Sequence, residues 1–170
     1  MSENAYALSR TGNEPFDTES AYRAALDEVL ERADRLVYIF DRDLVRMQLD
    51  SAGRCAALRR FLAGGLGVRE LRIVIHDPAP LTLRMPRLTA LLRQFEHRIG
   101  VRLAPDECRH LADCHLLADG LHGVRRFHAD WPRGVCVLDD TDEIAAWWGR
   151  YDELWGLSSP LSLVTTTGLA

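Results

Sequence analysis

Lysine is missing from this chain. All 21 basic residues are arginine. That excludes a Schiff-base lysine, a phosphate-loop lysine and a lysine general acid. Long apolar runs are missing too. The longest, such as Leu36 to Phe40, have five residues, far short of the ~20 that cross a bilayer. Met1-Ser2-Glu3-Asn4 has neither a basic nor an apolar leader region, so no secretory signal and no membrane partner are expected. There is no basic excess, since 25 acidic residues leave a net charge of -4. A nucleic-acid binder usually shows a basic footprint, so nucleic acid is not an expected partner. Arg59–Arg60 and Arg125–Arg126 are the adjacent arginine pairs, and solvated surface is their expected reading. Cysteine is sparse: Cys55, Cys108, Cys114 and Cys136. They are expected as free thiols in a reducing cytoplasm.

What is present reads as one domain. The chain has 170 residues, 47% of them hydrophobic, enough for a single core without staples. Residues 1–15 are polar and aperiodic and are expected as a disordered lead. The domain is expected over 16–157, with an extended tail over 158–170. Asp17 and Thr18 can cap a first helix, with Tyr22, Leu26, Val29, Leu30 and Ala33 on one face. Leu36–Phe40 reads as a buried strand. A second helix fits 51–63, ended by Gly64 and Gly65. Leu71–Ile75 is a second strand, stopped by His76-Asp77-Pro78-Ala79-Pro80. A third helix starts near Pro86 and carries Leu88, Leu91, Leu92, Phe95 and Ile99 on one face. Val101–Leu103 is a short strand.

Three more strand-like runs follow: Cys114–Ala118, Gly123–His128 and Gly134–Leu138. Asp119-Gly120 is a tight-turn signal between the first two. A last helix is capped by Asp140 with Glu143 three residues on. Ile144, Trp147, Trp148, Tyr151, Leu154 and Trp155 fall near one face, and Gly156 ends it. Trp147 and Trp148 point about 100° apart, so one of them is expected to be partly exposed. The fold class expected is α/β: a mixed sheet, parallel first and antiparallel later, with helices on its faces.

The order of elements, the Asp119-Gly120 turn and the closing Asp152-Glu153-Leu154-Trp155 resemble one half of the phospholipase D superfamily. That family carries H-x-K-x4-D-G, with histidine as nucleophile and lysine on the phosphate. Setting D-G on Asp119-Gly120 places Ala112 at the histidine and Cys114 at the lysine. The Ser and Asn that usually follow have no counterpart in Phe127-His128-Ala129-Asp130-Trp131. The resemblance thus implies a degenerate, non-catalytic domain with a binding, assembly or regulatory role. It also implies a homodimer. A similar unit accompanies bacterial acyltransferases, which implies such an enzyme as a protein partner. No cofactor is expected.

Three constellations carry the alternative, a phosphodiesterase or metal-dependent hydrolase with a rebuilt site. His110 could replace the lost nucleophile, with Arg109, Arg125 and Arg126 to hold a phosphate. Asp41, Asp43, His76 and Asp77 follow two strands and can meet beyond their carboxyl ends, where open α/β sheets bind ligands. Aspartates at such places also cap turns. Cys108, His110 and Cys114 are zinc-ligand types, but the spacing C-x-H-x3-C-H matches no zinc pattern. Gly64-Gly65-Leu66-Gly67 precedes a strand, so it is a helix terminator rather than a phosphate loop.

Overall fold

The computed structural model describes residues 12–163. Eight strands form one sheet in the order β1-β7-β6-β5-β2-β3-β4-β8. β2 (Leu36–Asp41), β3 (Glu70–Ile75) and β4 (Ile99–Leu103) are parallel. β5 (Cys114–Ala118) runs antiparallel to β2 and starts a meander through β6 (His122–His128) and β7 (Trp131–Leu138). The expected α/β class and mixed sheet are therefore the observed architecture.

The parallel strands exist because helices cross between them. α1 (Glu19–Arg32) leads into β2, with Thr18 accepting from the Ala21 amide at 3.1 Å as its cap. α2 (Ala52–Ala63) connects β2 to β3 and is capped by Ser51. α3 (Ala79–Arg84) and α4 (Pro86–Gln94) connect β3 to β4. α3 occupies the stretch expected as a proline break: a proline at the first helical turn starts a helix, since its missing N–H has no partner there anyway. Ile99, expected on the third helix, opens β4.

α5 (Thr141–Leu157) covers the other face alone. Its cap is Asp140, which accepts from the Glu143 amide at 3.1 Å. Trp147 is buried. Trp148 stacks on Tyr38 at 4.4 Å and is the partly exposed one of the pair, as expected.

Both expected boundaries shift. Gly12–Phe16, inside the expected lead, forms β1 against β7. Ser159–Pro160, inside the expected tail, forms β8 against β4. Backbone pairing with a pre-formed edge, and not their own side-chain pattern, makes these two segments strands. The rest of the lead and residues 164–170 lie outside the described residues.

One buried charge ties the first face together. Arg126 on β6 has no solvent exposure. Its guanidinium forks onto Glu19 of α1 at 2.8 and 2.9 Å and donates to the carbonyls of His128 and Ala129. It also lies over the Tyr22 ring at 4.8 Å. Glu19→Gln strips the charge partner and leaves the cation buried. We expect a loss of about 3 kcal/mol, the lower end for breaking a buried pair, because Glu19 keeps some water contact. Urea unfolding of the two proteins measures it, and an unchanged midpoint would refute the clamp.

Candidate functional site

Parallel β2 and β3 bring their carboxyl ends to one end of the sheet, where β5 enters and β6 leaves. A cleft of about 550 Å3 opens there, lined by Arg42, His76, Asp77, Arg109, Ala112 and Asp113 on one side and by His128, Ala129 and Asp130 on the other. Ala112, the position matched to the nucleophile, lies in its wall.

The cleft is built from turn chemistry. His76 and Asp77 both donate backbone N–H to the Arg42 carbonyl, at 3.0 and 2.9 Å, so the two strand ends are laced together. The Ala129 amide donates to the Ala112 carbonyl at 2.7 Å and joins the β6 exit to the β5 entry. At the far end of β5, Asp119 and Gly120 both take positive φ, the geometry of the expected tight turn. The Asp119 carboxylate accepts from the amides of Asp34, Arg35 and Leu36 at 2.7–2.8 Å. The motif's aspartate thus survives as a support that anchors the β5–β6 hairpin to the entry of β2.

Strand alternation sends neighbouring residues to opposite faces. Cys114, the lysine position, points to the α1 face. It is buried beside Asp41. Burial and the Asp41 charge push the thiol far above its usual range. It stays a protonated thiol, without nucleophilic or cationic character. Burial also raises the Asp41 carboxyl, while Cys114 and the amides of Asp43 and Leu44 oppose that rise.

His115 points to the α5 face between Phe40 and Trp147. Burial pushes its imidazole down to about 4; Asp113 works against that shift, and Arg150 and Arg125 reinforce it. Burial alone would raise Asp113, but the Arg150 fork outweighs it, helped by His115 and Arg125, and the carboxyl sits below its ordinary range.

The expected site residues are thereby separated. His76 and Asp77 reach the cleft. Asp41 and Asp43 fold back onto turn amides of Asp43, Leu44 and Val45 instead. Arg125 sits 3.5 Å from Asp113 on the α5 face, and Arg126 is consumed by Glu19 on the α1 face. His110 is exposed and outside the cleft lining. Cys108 packs with the α5-face cluster and Cys114 with the α1-face core, so the sheet divides the two thiols. Among the described residues, no three His, Cys, Asp or Glu side chains converge to hold a metal ion. The glycine run ends α2 as expected, with Gly65 and Gly67 at positive φ.

Sequence reasoning missed Arg42, Asp113, Asp130 and Arg150. Arg42 donates to Asp130 at 2.9 Å, and Arg150 forks onto Asp113. Their one visible signal was adjacency to residues already singled out. His76 is the polar group left open. Its Nε2 donates to the Leu111 carbonyl at 3.0 Å, and its buried Nδ1 has no hydrogen-bond partner within the chain.

A family model described as "Domain of unknown function (DUF7931)" matches residues 18–164, and the chain belongs to that family. No curated protein matches it. Its fold is that of solved phospholipase D family members. Nuc from Salmonella typhimurium is 11% identical, with a TM-score of 0.60 over 88% of this chain and 97% of that one. NucT from Helicobacter pylori is 12% identical, with a TM-score of 0.57 over 88% and 99%. TrmBL2, an archaeal chromatin protein whose structure shows a novel mode of DNA binding, is 12% identical, with a TM-score of 0.67. The match covers 94% of this chain but 57% of TrmBL2.

That neighbour corrects the expected partners. Low net charge was taken to set nucleic acid aside, yet this fold occurs in a protein that binds DNA. Net charge sums over the whole surface, whereas binding depends on a local patch. Neither a homodimer nor an acyltransferase partner gains any support from the structure or the comparisons. No helix among the described residues is long and apolar enough to cross a membrane.

The His115 shift sets a pH dependence. The unfolded imidazole titrates near 6.5 and the folded one near 4, so the unfolded state binds more protons in between. Stability is full above about pH 6.5 and falls toward pH 4. Between pH 7 and pH 5 we expect a loss on the order of 2 kcal/mol from this group. Asp113, held below its ordinary range, adds its own loss at still lower pH. Urea midpoints at pH 7 and pH 5 measure the first window. His115→Phe should flatten it, and an undiminished pH dependence in that variant would reject the assignment.

Proposed function

We propose that this chain is a non-catalytic phospholipase D-like domain that binds nucleic acid without cleaving it. One observation carries the reading: the charges gathered near the motif positions are spent on one another. Glu19 takes Arg126, Asp113 takes Arg150 and Arg125, and Asp130 takes Arg42. Ala112 offers no nucleophile, and Cys114 offers a buried neutral thiol in place of a phosphate-gripping cation. A phosphodiesterase needs cations that meet the developing charge of the transition state, and pre-paired ones are not free to do so. The DNA-binding neighbour on the same fold supports nucleic acid as the ligand class. Four cysteines without a disulfide fit a reducing compartment and favour a cytoplasmic setting.

A second reading rests on His76. A tautomer fixed through Nε2 leaves the Nδ1 lone pair without a partner beside the cleft, and a rebuilt hydrolase would need that buried nitrogen to open onto the substrate. One experiment separates the two. The protein is incubated with bis(p-nitrophenyl) phosphate and, separately, with a labelled DNA duplex. We expect no release of nitrophenol above buffer, and a duplex that is bound yet recovered intact. Turnover that His76→Ala abolishes would overturn the non-catalytic reading in favour of the hydrolase.

A further inference from the structure

The overall charge of -4 hides a segregation. Between Ser51 and Arg102 the chain carries ten arginines against three acids, Glu70, Asp77 and Glu96. Elsewhere twenty-two acids face eleven arginines. Half of the ten arginines in the basic stretch serve the interior. Arg54 pairs with Asp27, Arg69 with Asp34 and Arg72 with Glu70, while Arg98 and Arg102 donate to the carbonyls of Leu62 and Trp155. The other five, Arg59, Arg60, Arg84, Arg87 and Arg93, are exposed.

Those five lie on α2, α3 and α4, and these three helices contain no acidic residue. α2 and α4 are neighbours, and Arg59 donates to Gln94 across their junction. Burial and Asp50 push the Cys55 thiol on α2 up, while Arg87 and Arg59 oppose that shift. Both guanidinium groups therefore act on the same thiol at the α2–α4 junction. Asp50 is committed to the α4 N-terminus, where it accepts from the Leu88 amide at 2.7 Å. Among the described residues, none of Arg59, Arg60, Arg84 and Arg87 takes part in an ion pair.

We infer that this arginine face of α2–α4 is the docking surface for the phosphate backbone of a nucleic-acid duplex. The inference rests on the nucleic-acid reading above and moves its contact away from the cleft. Arg87 and Arg93 are six residues apart, about 9 Å along the axis, and packed helices stand about 8–10 Å apart. Over about 10 Å of axis a duplex presents roughly six phosphate charges, enough to engage all five arginines. The guanidinium fork matches phosphate oxygens. Small exposed residues on the same helices, Ala52, Gly53, Ala63 and Ala90, leave room for a backbone to approach. An interfacial membrane helix would carry a continuous apolar face. Here Leu83 is the one large apolar side chain exposed on these helices.

Fluorescence anisotropy of a labelled 20-base-pair duplex, between 50 and 200 mM salt, tests the assignment. The proteins are wild type, Arg59→Gln/Arg60→Gln, Arg87→Gln/Arg93→Gln and a cleft variant, Arg42→Gln. We expect each double variant to weaken binding at least tenfold, regardless of duplex sequence. We also expect each to reduce the log–log salt slope by about two. Arg42→Gln should bind within about twofold of wild type. Circular dichroism melting confirms that the variants are folded. Double variants that bind normally while Arg42→Gln loses binding would sink this face and leave the nucleic-acid reading standing. A wild type that binds no duplex would sink both. Binding to phosphatidylserine vesicles without any duplex binding would reassign the face to a lipid surface.

Discussion

Arg126 is a guanidinium from which all water has been removed, and much of the first face answers to that. A buried cation is tolerable only with a matched anion and satisfied donors. Glu19 supplies the anion, which places the N-terminus of α1 against β6. The carbonyls of His128 and Ala129 take the remaining donors, which fixes the β6–β7 turn. That turn forms one wall of the cleft. Across the pair register, Arg126 faces Cys114, so the thiol at the lysine position shares the same closed environment. The site is shaped by a structural charge pair before any ligand arrives.

The opposite face repeats the arrangement with other residues. Asp113 is nearly buried, and Arg150 reaches it from α5 while Arg125 approaches from β6. His115 lies beside it and stays neutral because burial outweighs the carboxylate. The two networks sit back to back across the sheet at the same end. Together they make that end rigid and electrostatically quiet. A catalytic site needs the reverse, with charge left uncompensated until the substrate arrives.

Much of this fold is legible in the sequence, because hydrophobic period and caps are local signals. β5 agrees with its expected range, and Thr18 and Asp140 cap as their side chains predict. β1 is not legible, since Gly12–Phe16 carries no alternation and owes its form to the β7 edge. The cleft was half legible. His76 and Asp77 were found through the rule that places ligands beyond strand ends. Asp41 and Asp43 satisfy the same rule in sequence, yet their carboxylates prefer nearby turn amides. Arg125 and Arg126 look like one basic pair, but the two-residue period of a strand sends them to different networks. The arginine face escaped for a related reason. Its members fall in two separate stretches, Arg59–Arg60 and Arg84 to Arg93, and the packing of α2 on α4 brings the two together.

The separation of cleft from arginine face bears on how such a domain could arise. In a phosphodiesterase fold the same cations both hold the backbone and stabilise the transition state. Here no lysine exists, and Arg126 is locked into the interior by Glu19, which cannot be removed without leaving a buried charge unpaired. Restoring chemistry would require unpaired cations in the cleft, at the expense of the clamps that shape it. Arg60, Arg84 and Arg87 on the helices carry no such constraint, since each can be added or lost at a cost of only tenths of a kcal/mol. Binding can therefore be tuned on the helices while the sheet end stays fixed. On the reading proposed above, internal charge pairs hold the sheet end while the helices present the arginines that meet the polymer.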